Sequence, residues 1–302
     1  MTAGQGHIRA RLLPPARLSL PQLTFQYPLK LISSSVPSSK CLTVFILSYG
    51  GGLVSNDQVD LKVVVEDAAK LCLLTQGSTK IFKRKAFEHL TTQSMAVHLQ
   101  SNAVLALLPD PIQPFKDSVY KQHQVFHLPA DDTASLVVLD WVSEGRSARG
   151  EHWDLTSFVS RNEFFIPKGE GESERLMLRD SMILTQDAEG LRSRMDGFTV
   201  FATLMIHGPR FAGLSEALLQ KFKDEPRIGG RNFDNRRDFK NDTTKKGGVI
   251  WTATSMRGFV LVKLSGKELE EVKIFLRELL KSGEDEGDVV REFGEGALLC
   301  LQ

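Results

Sequence analysis

The sequence is poor in cysteine, in net charge and in long hydrophobic runs. Its 302 residues contain only three cysteines, Cys41, Cys72 and Cys300, and an odd number of such widely spaced residues predicts reduced, packed thiols rather than a disulfide framework. The formal net charge is +1, which gives no electrostatic footprint for nucleic acid. No apolar stretch approaches the roughly 20 residues that cross a bilayer, so we expect no membrane span.

Targeting signals and internal repeats are missing as well. The N-terminus, MTAGQGHIRA, has no apolar signal-peptide core, so we expect a cytoplasmic protein. No fixed-period repeat is visible. The chain is long enough for a sizeable core, and no segment is clearly a domain linker. We therefore expect one β domain over residues 1–302.

Helical periodicity is scarce, and alternation of apolar with polar residues dominates. In the stretch 58–65, valine and leucine alternate with Gln58, Asp60 and Lys62, as in a strand that buries one face. Similar runs recur every ~8–15 residues with turn chemistry between them, which indicates a sandwich, a barrel or stacked sheets. The N-terminal residues 1–27 are proline-rich and weakly patterned. The other predicted strands are 28–31, 42–47, 70–75, 91–99, 103–108, 122–128, 134–142, 157–166, 176–184, 198–206, 249–254 and 258–264.

Two helices are predicted, both in the C-terminal third. Residues 209–224 carry apolar side chains at spacings of three and four. Residues 266–281 show the same pattern, and Ser265 with Glu268 predicts a capping box at the start of this helix. Segments that are charged or glycine-rich have little to bury. We expect mobile loops at 167–175, 227–248 and 281–288.

Two glycine-containing motifs lie at predicted strand ends, GGG and QGSTK. Both have residue types that occur in phosphate-binding loops. Neither has the βαβ context or the following helix that such loops require, so we interpret them as turns that shape strand ends. The motif residues are Gly50, Gly51, Gly52, Gln76, Gly77 and Lys80.

The stretch 136–153, LVVLDWVSEGRSARGEHW, places charge beside apolar residues. Asp140 lies in an apolar strand, where a carboxylate is costly unless it is paired, hydrogen-bonded or protonated. Trp141 and Trp153 bracket the charged loop that follows. Because Trp and Arg commonly anchor interfaces, this loop is either a structural salt-bridge network or a partner interface. Its charged residues are Arg146, Arg149 and Glu151.

The same loop is close to a nucleophile elbow, Gly-x-Ser-x-Gly. It reads Gly145-Arg146-Ser147-Ala148-Arg149, so an arginine replaces the second glycine, and the strand-turn-helix context is missing. A hydrolase that uses the Gly145–Glu151 loop is therefore the alternative from a different functional class.

Polar residues on other loops and strands offer further candidate sites. His123 and His127 share one strand face, but a zinc site needs three or four close ligands, so solvated or hydrogen-bonded histidines compete with a metal site. Asp57 follows the GGG turn, and Thr79 ends the next strand. Polar groups on such loops cap turns or converge on a ligand path. The rigid, proline-locked loop LPDPIQPF contributes Asp110, Gln113 and Phe115.

Five motifs, in their order along the chain, resemble the D-type (also called H-type) urease accessory protein. They are YGGGLVSNDQVDL, TQGSTK, LPDPIQPF, LDWVSEGRSARGE and SRN. The resemblance runs from about residue 28 to residue 280 and is strongest over 48–163. The form of LPDPIQPF resembles the eukaryotic, fungal-like branch.

The resemblance implies a mainly β fold of helically wound, stacked sheets with two α-helices in the C-terminal third. It implies a non-enzymatic scaffold that binds the urease apoprotein and the F-type accessory protein, and through the latter the G-type GTPase. Nickel would pass through an internal tunnel on its way to the urease active site, with no tightly bound cofactor. The positions that match the polar tunnel lining are Asp57, Thr79, Asp140 and Glu174.

Nickel in transit needs weak and separated oxygen ligands, because an ion must both enter and leave a conduit. A tight nickel site would use imidazole and thiolate, and the sequence has no dense cluster of these. Two features depart from the family pattern. The 227–248 loop is longer than usual, and the C-terminus GALLCLQ lacks the basic-aromatic ending.

Overall fold

The computed structural model describes residues 2–34, 40–169, 173–225, 248–283 and 287–302. These described residues form eighteen strands and four α-helices. The strands are β1 (Gln5–Leu13), β2 (Arg17–Phe25), β3 (Leu29–Ser33), β4 (Leu42–Ser48), β5 (Gly52–Leu53), β6 (Gln58–Val65), β7 (Lys70–Leu74), β8 (Thr79–Ile81), β9 (Thr91–Leu99), β10 (Val104–Leu107), β11 (Ile112–Pro114), β12 (Val119–His127), β13 (Ser135–Ser143), β14 (Ser157–Ile166), β15 (Arg175–Thr185), β16 (Val200–His207), β17 (Ile250–Met256) and β18 (Phe259–Gly266). The helices are α1 (Leu191–Arg194), α2 (Ala212–Asp224), α3 (Leu269–Leu280) and α4 (Asp288–Phe293).

The chain alternates between two stacked sheets, which we call the outer and the central sheet. The outer sheet has the order β15-β14-β12-β9-β6-β1-β2, and the central sheet follows β17-β18-β16-β13-β10-β7-β4-β3. Within them, β6, β9, β12 and β14 are parallel neighbours, and so are β4, β7, β10 and β13. Each turn of the chain therefore adds one strand to each sheet. The predicted mainly β fold of helically wound, stacked sheets is confirmed.

A short third ladder, the corner ladder, closes one side of this winding. Strands β5, β8 and β11 pair in parallel, and each lies between a central strand and the next outer strand. The four motifs GGG, QGSTK, LPDPIQPF and GRSARGE thus occupy the same corner in successive turns. The central strands of these turns begin at residues 42, 70, 104 and 135. Because these intervals are unequal, no fixed-period repeat is visible in the sequence.

The central sheet is covered on both faces. One hydrophobic core lies between the two sheets and includes Val97 and Phe126. A second core lies between the central sheet and the helices and includes Leu214 and Leu276. All nine residues of β13 are buried, because a strand covered on both faces is apolar without alternation. In β6, by contrast, every second residue is buried, so one face of the strand lies against the core.

The two predicted helices are confirmed, but the predicted start of the second is wrong. A 3-10 turn at Pro209–Phe211 leads into α2. Helix α3 begins at Leu269, and Glu268 precedes it without a side-chain capping hydrogen bond. The capping box fails because Ser265 belongs to β18, where its backbone pairs with β16 and β17.

The N-terminal region contains two strands that the sequence did not predict. Strands β1 and β2 form an antiparallel hairpin, and β1 also joins β6 in parallel. The prolines obscured this pattern. Pro14 and Pro15 lie in the hairpin turn, and Pro21 lies on β2, which is an edge strand of the outer sheet. At an edge, the missing N–H of proline removes no ladder hydrogen bond.

The C-terminus adds α4 and a 3-10 segment at Glu295–Leu301, neither of which was predicted. Of the three predicted mobile loops, residues 170–172, 227–247 and 284–286 lie outside the described residues. No helix in the described parts of the chain is long and apolar enough to cross a membrane.

Candidate functional site

An interior cavity of about 50 Å³ lies inside the winding, next to the corner ladder. Both sheets and the corner ladder contribute to its wall, and the wall mixes apolar strand residues with polar groups. A cavity of this size with several polar groups on its wall has room for water. The polar side chains that line it are Ser48, Thr75, Thr79, Gln93, Asp110, Gln122, Gln124 and Asp140.

A surface recess of about 270 Å³ opens at the two glycine motifs. It shares Ser48, Thr75 and Thr79 with the wall of the interior cavity, so the two spaces adjoin, and we call the recess the mouth. Asp110 accepts hydrogen bonds from Thr75 Oγ1 at 2.8 Å and from the Gly77 backbone N at 2.9 Å, and thereby holds the QGS turn at the mouth. The other residues of the recess are Lys30, Ile46, Leu47, Tyr49, Gly50, Gly51, Gln76, Gly77 and Ser78.

The glycines of both motifs have backbone reasons to be glycine. Gly50, Gly51 and Gly77 have φ values of +74°, +73° and +84°, a region that glycine adopts without steric cost. Gly52 has a different reason, because a Cβ there would lie 2.4 Å from the carbonyl oxygen of Lys80. Only glycine lets β5 and β8 approach this closely, which fixes the shape of the mouth.

Asp140 points from β13 into the layer between the sheets and is 5% exposed. Its Oδ1 accepts a hydrogen bond from Gln122 Nε2 at 3.1 Å. Its Oδ2 accepts from Ser160 Oγ at 2.6 Å and from Asn162 Nδ2 at 2.7 Å. Burial raises the pKa of Asp140, while these hydrogen bonds act in the opposite direction and the nearby Asp180 adds to the rise.

Polar side chains continue from Asp140 across both sheets. In the central sheet Asp140 pairs with Thr203, and Thr203 pairs with Lys263, whose Nζ lies 2.5 Å from Asp180 Oδ1. Thr203 and Lys263 line a cleft of about 380 Å³ at the end of the sheets opposite the mouth. Polar groups thus run from the interior cavity to this cleft. We call this set the polar row, and it consists of Gln93, Gln122, Asp140, Ser160, Asn162, Asp180, Thr203 and Lys263.

Two buried amide oxygens along this path lack a hydrogen-bond partner within the described residues. They are Gln124 Oε1, which belongs to the cavity wall, and Asn162 Oδ1, beside Asp140. An unsatisfied buried acceptor costs about 1–3 kcal/mol, and water or a bound cation removes that cost. These oxygens are therefore acceptors that remain available to a polar guest.

The four predicted tunnel residues do not lie together. Thr79 and Asp140 line the interior cavity, whereas Asp57 and Glu174 are not part of its wall. Asp57 Oδ2 accepts the backbone N–H of the residue three positions earlier at 2.9 Å and so closes its own turn. Glu174 is exposed and lies 2.8 Å from His127 Nδ1.

Sequence reasoning missed the partners of Asp140, although a signal for them exists. In β12 the buried, inward positions alternate with half-buried or exposed ones, and Gln122 and Gln124 occupy inward positions between Tyr120 and Phe126. A polar residue where the alternation requires an apolar one indicates a buried polar contact.

The GRSARGE loop packs on the proline-locked loop. Arg146 forms a two-pronged ion pair with Glu151, in which Nε lies 3.1 Å from Oε2 and Nη2 contacts Oε1. This hydrogen-bonded guanidinium holds the pKa of Glu151 below its usual range. The Arg146 guanidinium also lies 4.2 Å from the centre of the Phe115 ring, and Gln113 Nε2 donates to the Gly145 carbonyl at 3.3 Å.

The remaining residues of the loop divide into buried and exposed ones. Trp141 and Trp153 are buried and donate their indole N–H groups to the carbonyls of Pro109 and Phe198 at 2.8 Å, so they support the loop from inside. Arg149 is exposed and forms no ion pair within the described residues. It is therefore the exposed arginine of this loop.

The histidines on β12 are each paired with a carboxylate. His123 Nε2 lies 2.6 Å from Glu163 Oε2, and His127 forms the contact with Glu174 described above. Within the described ranges, no three His, Cys, Asp or Glu side chains are grouped so that they could hold a metal ion.

Substitutions of the two loop arginines are expected to differ in their effect on stability. Arg146→Ala removes the ion pair to Glu151 and the contact with Phe115, so we expect a lower urea midpoint of unfolding. Arg149→Ala removes no such contact, and surface changes of this kind stay within about 0.5 kcal/mol. Urea titrations of both variants against the unaltered protein test this, and equal midpoints for all three would contradict it.

Comparisons with known proteins agree on one family. Residues 4–287 match the model of the family described as UreD urease accessory protein. The chain is similar to an uncharacterized urease accessory protein ureD-like of Schizosaccharomyces pombe, with 35% identity over 258 residues that cover 84% of this chain and 86% of the relative. It is similar to urease accessory protein 4 of Cryptococcus neoformans var. grubii, with 32% identity and 85% and 84% coverage. Urease accessory protein D of Oryza sativa subsp. indica is 32% identical, with 66% and 63% coverage. The chain therefore belongs to the UreD family of urease accessory proteins.

Proposed function

We propose that this protein is a non-enzymatic scaffold of urease maturation that conducts nickel through its interior to the urease apoprotein. The observation that carries the proposal is the polar row, which crosses an otherwise apolar layer from the interior cavity, next to the mouth, to the far cleft. Its oxygen groups are separated along the path, as suits an ion that must enter and leave. Asp140 supplies a carboxylate in surroundings of low dielectric, where its attraction for a divalent cation is strong.

The proposed partners are the urease apoprotein at one opening and the F-type accessory protein at the other. The G-type GTPase would join through the F-type protein. Membership of a family of urease accessory proteins supports this assignment, and so does the placement of the mouth and the far cleft at opposite ends of the sheets. Nickel is the cargo of this route and not a resident cofactor.

The proposal also locates the protein in the cytoplasm. Cys41, Cys72 and Cys300 are buried thiols, which suits a reducing compartment. Burial raises the pKa of Cys300 to about 12, so this thiol is protonated in the metal-free protein.

The hydrolase alternative is not carried further. Ser147 lies in a 3-10 turn that ends at Gly150, and no helix follows it as in a nucleophile elbow. The names of the relatives give this alternative no support.

The test is reconstitution of urease maturation with and without this chain. Urease is co-expressed with the F-type and G-type proteins, and nickel is measured per urease active site beside a pull-down of the complex. We expect low nickel content when the chain is left out and restoration when it is supplied. The variant Ile274→Ala, which changes a side chain that is 59% exposed, serves as the positive control. We expect it to restore the nickel content as the unaltered chain does. Full nickel loading in the absence of the chain would refute the proposal.

A further inference from the structure

An aromatic and basic surface borders the mouth of the interior cavity. Phe87 is 87% exposed, and Tyr27 and Tyr49 are 60% and 46% exposed. Solvent exposure of several large apolar side chains in one area marks an interaction surface. We call this surface the rim, and it consists of Tyr27, Lys30, Tyr49, Val54, Lys80, Lys83, Arg84, Lys85, Phe87 and Leu90.

The rim is continuous with the mouth. Lys30 and Tyr49 line the recess itself, and the Tyr27 ring lies 5.5 Å from the Tyr49 ring. Strands β5 and β8 run from the glycine motifs at the mouth to the loop that carries Phe87. Each has at most three residues, so the base of this loop lies roughly 10 Å from the mouth at about 3.3 Å per residue.

The loop that carries Phe87 is held in place by specific contacts. Arg84 Nη1 donates to the Phe87 carbonyl at 3.0 Å, and its guanidinium lies 4.8 Å from the centre of the Phe87 ring. The backbone N–H of Lys85 donates to Ser55 Oγ at 2.9 Å, and the same hydroxyl lies 3.0 Å from His89 Nδ1. An aromatic side chain that is already ordered loses little entropy when it binds.

Positive charge surrounds this aromatic group. Five of the ten rim residues are Lys or Arg, and none is acidic. The acidic neighbours include Asp57, which caps its own turn, and Asp110, which accepts hydrogen bonds from Thr75 and Gly77 at the mouth. They also include Glu88, and Asp117, which lies 3.3 Å from Lys83. The rim therefore favours a partner whose surface is acidic, because complementary charges speed association and disfavour other partners.

We infer that the rim docks a protein whose surface is acidic and contains an apolar pocket for Phe87, and that this protein is thereby seated over the mouth. The inference rests on the proposed function, since it identifies the surface through which one partner of the conduit binds. Phe87 projects alone from a fixed loop. The other exposed apolar side chains of the rim have at most 60% of their surface accessible to solvent. Such a single projecting anchor fits a pocket in a folded protein and supplies little of the broad apolar face that lies in a lipid interface.

Binding measurements with Phe87→Ala test this inference. The probes are the purified urease apoprotein and the purified F-type accessory protein, each titrated separately with the complete chain. We expect the variant to lose about tenfold or more in affinity for one of the two, because a central aromatic anchor carries much of the binding energy. The double variant Lys83→Glu/Lys85→Glu is expected to weaken the same complex and to reverse its salt dependence.

The controls separate docking from folding and from membrane binding. Ile274→Ala removes a comparably exposed apolar side chain from α3 and is expected to bind both probes like the unaltered protein. Because Phe87 is exposed, its variant is expected to keep the thermal unfolding temperature. Unchanged affinity of Phe87→Ala for both proteins would overturn the inference, and so would a loss confined to vesicles of phosphatidylcholine and phosphatidylserine. Nickel loading by the unaltered chain tests the proposed function separately. If that loading is normal and the Phe87 variant binds normally, only the docking surface is refuted.

Discussion

Replacement of Asp140 by asparagine is expected to leave the protein folded and its complexes assembled, while the co-expressed urease contains about tenfold less nickel. Asparagine keeps the shape of the side chain but removes its charge. A hydrogen bond to a charged group is worth about 1.5–3 kcal/mol, and losing an attraction of that size for a cation corresponds to about tenfold or more in occupancy. Asp140 is the carboxylate that lines the interior cavity and also belongs to the polar row, so this loss falls on the proposed route itself.

The stability of the same variant independently tests how the ionisation of Asp140 affects folding. Burial raises the pKa of Asp140 in the folded protein, so its favourable contribution to stability is present at low pH and is lost as the pH rises through that raised pKa. Asparagine does not titrate, so we expect the urea midpoint of the unaltered protein, relative to that of Asp140→Asn, to fall as the pH rises through the raised pKa of Asp140. A difference between the two midpoints that does not change with pH would contradict this reading.

The matched control for this experiment is Asp57→Asn. Asp57 lies outside the cavity wall, and its oxygen closes a turn, a contact that asparagine also makes. Near-normal nickel content is expected for this variant, although sequence resemblance grouped Asp57 with Asp140. Full nickel loading by Asp140→Asn would remove Asp140 from the route. Loss of the complex in the pull-down would show that the residue is structural.

Most strands could be predicted because their patterns are local. The strand predicted at 157–166 coincides with β14, and that at 91–99 coincides with β9. In both, alternation or β-branched composition is visible within ten residues. The hairpin β1–β2 was missed because its prolines lie in a turn and on an edge strand, and neither location is visible without the sheet. Helix α4 was missed because it has six residues, too few for a periodic pattern.

The candidate site could be predicted only in part, because it depends on register between distant strands. Asp140 was recognisable as a carboxylate in an apolar strand. Its partners Gln122, Ser160 and Asn162 come from two other strands of the facing sheet, and no local pattern shows which inward residues face each other. For the same reason the sequence did not show that Glu174 contacts His127 on the surface, or that Asp180 lies next to Lys263 in the polar row.

The way the chain winds between the two sheets explains why the four motifs contain glycine, proline or an ion pair. Each turn must pass from the central to the outer sheet at the same corner, and three of these passages form the corner ladder. Glycine permits the left-handed backbone in the first two passages. Proline stiffens the third, and the ion pair of Arg146 with Glu151 holds the fourth. The motifs therefore build one wall, and the interior cavity and its mouth lie against that wall.

The last residues of the chain lie beyond the family match, which ends at residue 287, yet they are expected to be essential for stability. The 3-10 segment Glu295–Leu301 packs on the helix-facing side of the central sheet. Leu298 is fully buried there, whereas its neighbour Leu299 is 46% exposed.

Leu298→Ala is expected to lower the free energy of unfolding by about 2–5 kcal/mol, because it removes buried apolar surface and leaves a cavity. That is a large part of a typical net stability of about 5–15 kcal/mol. Leu299→Ala removes the same atoms from a partly exposed position, so its effect is expected to stay within about 0.5 kcal/mol. Urea titrations of the two variants beside the unaltered protein measure this difference. Equal midpoints for Leu298→Ala and Leu299→Ala would show that this segment does not contribute to the second core.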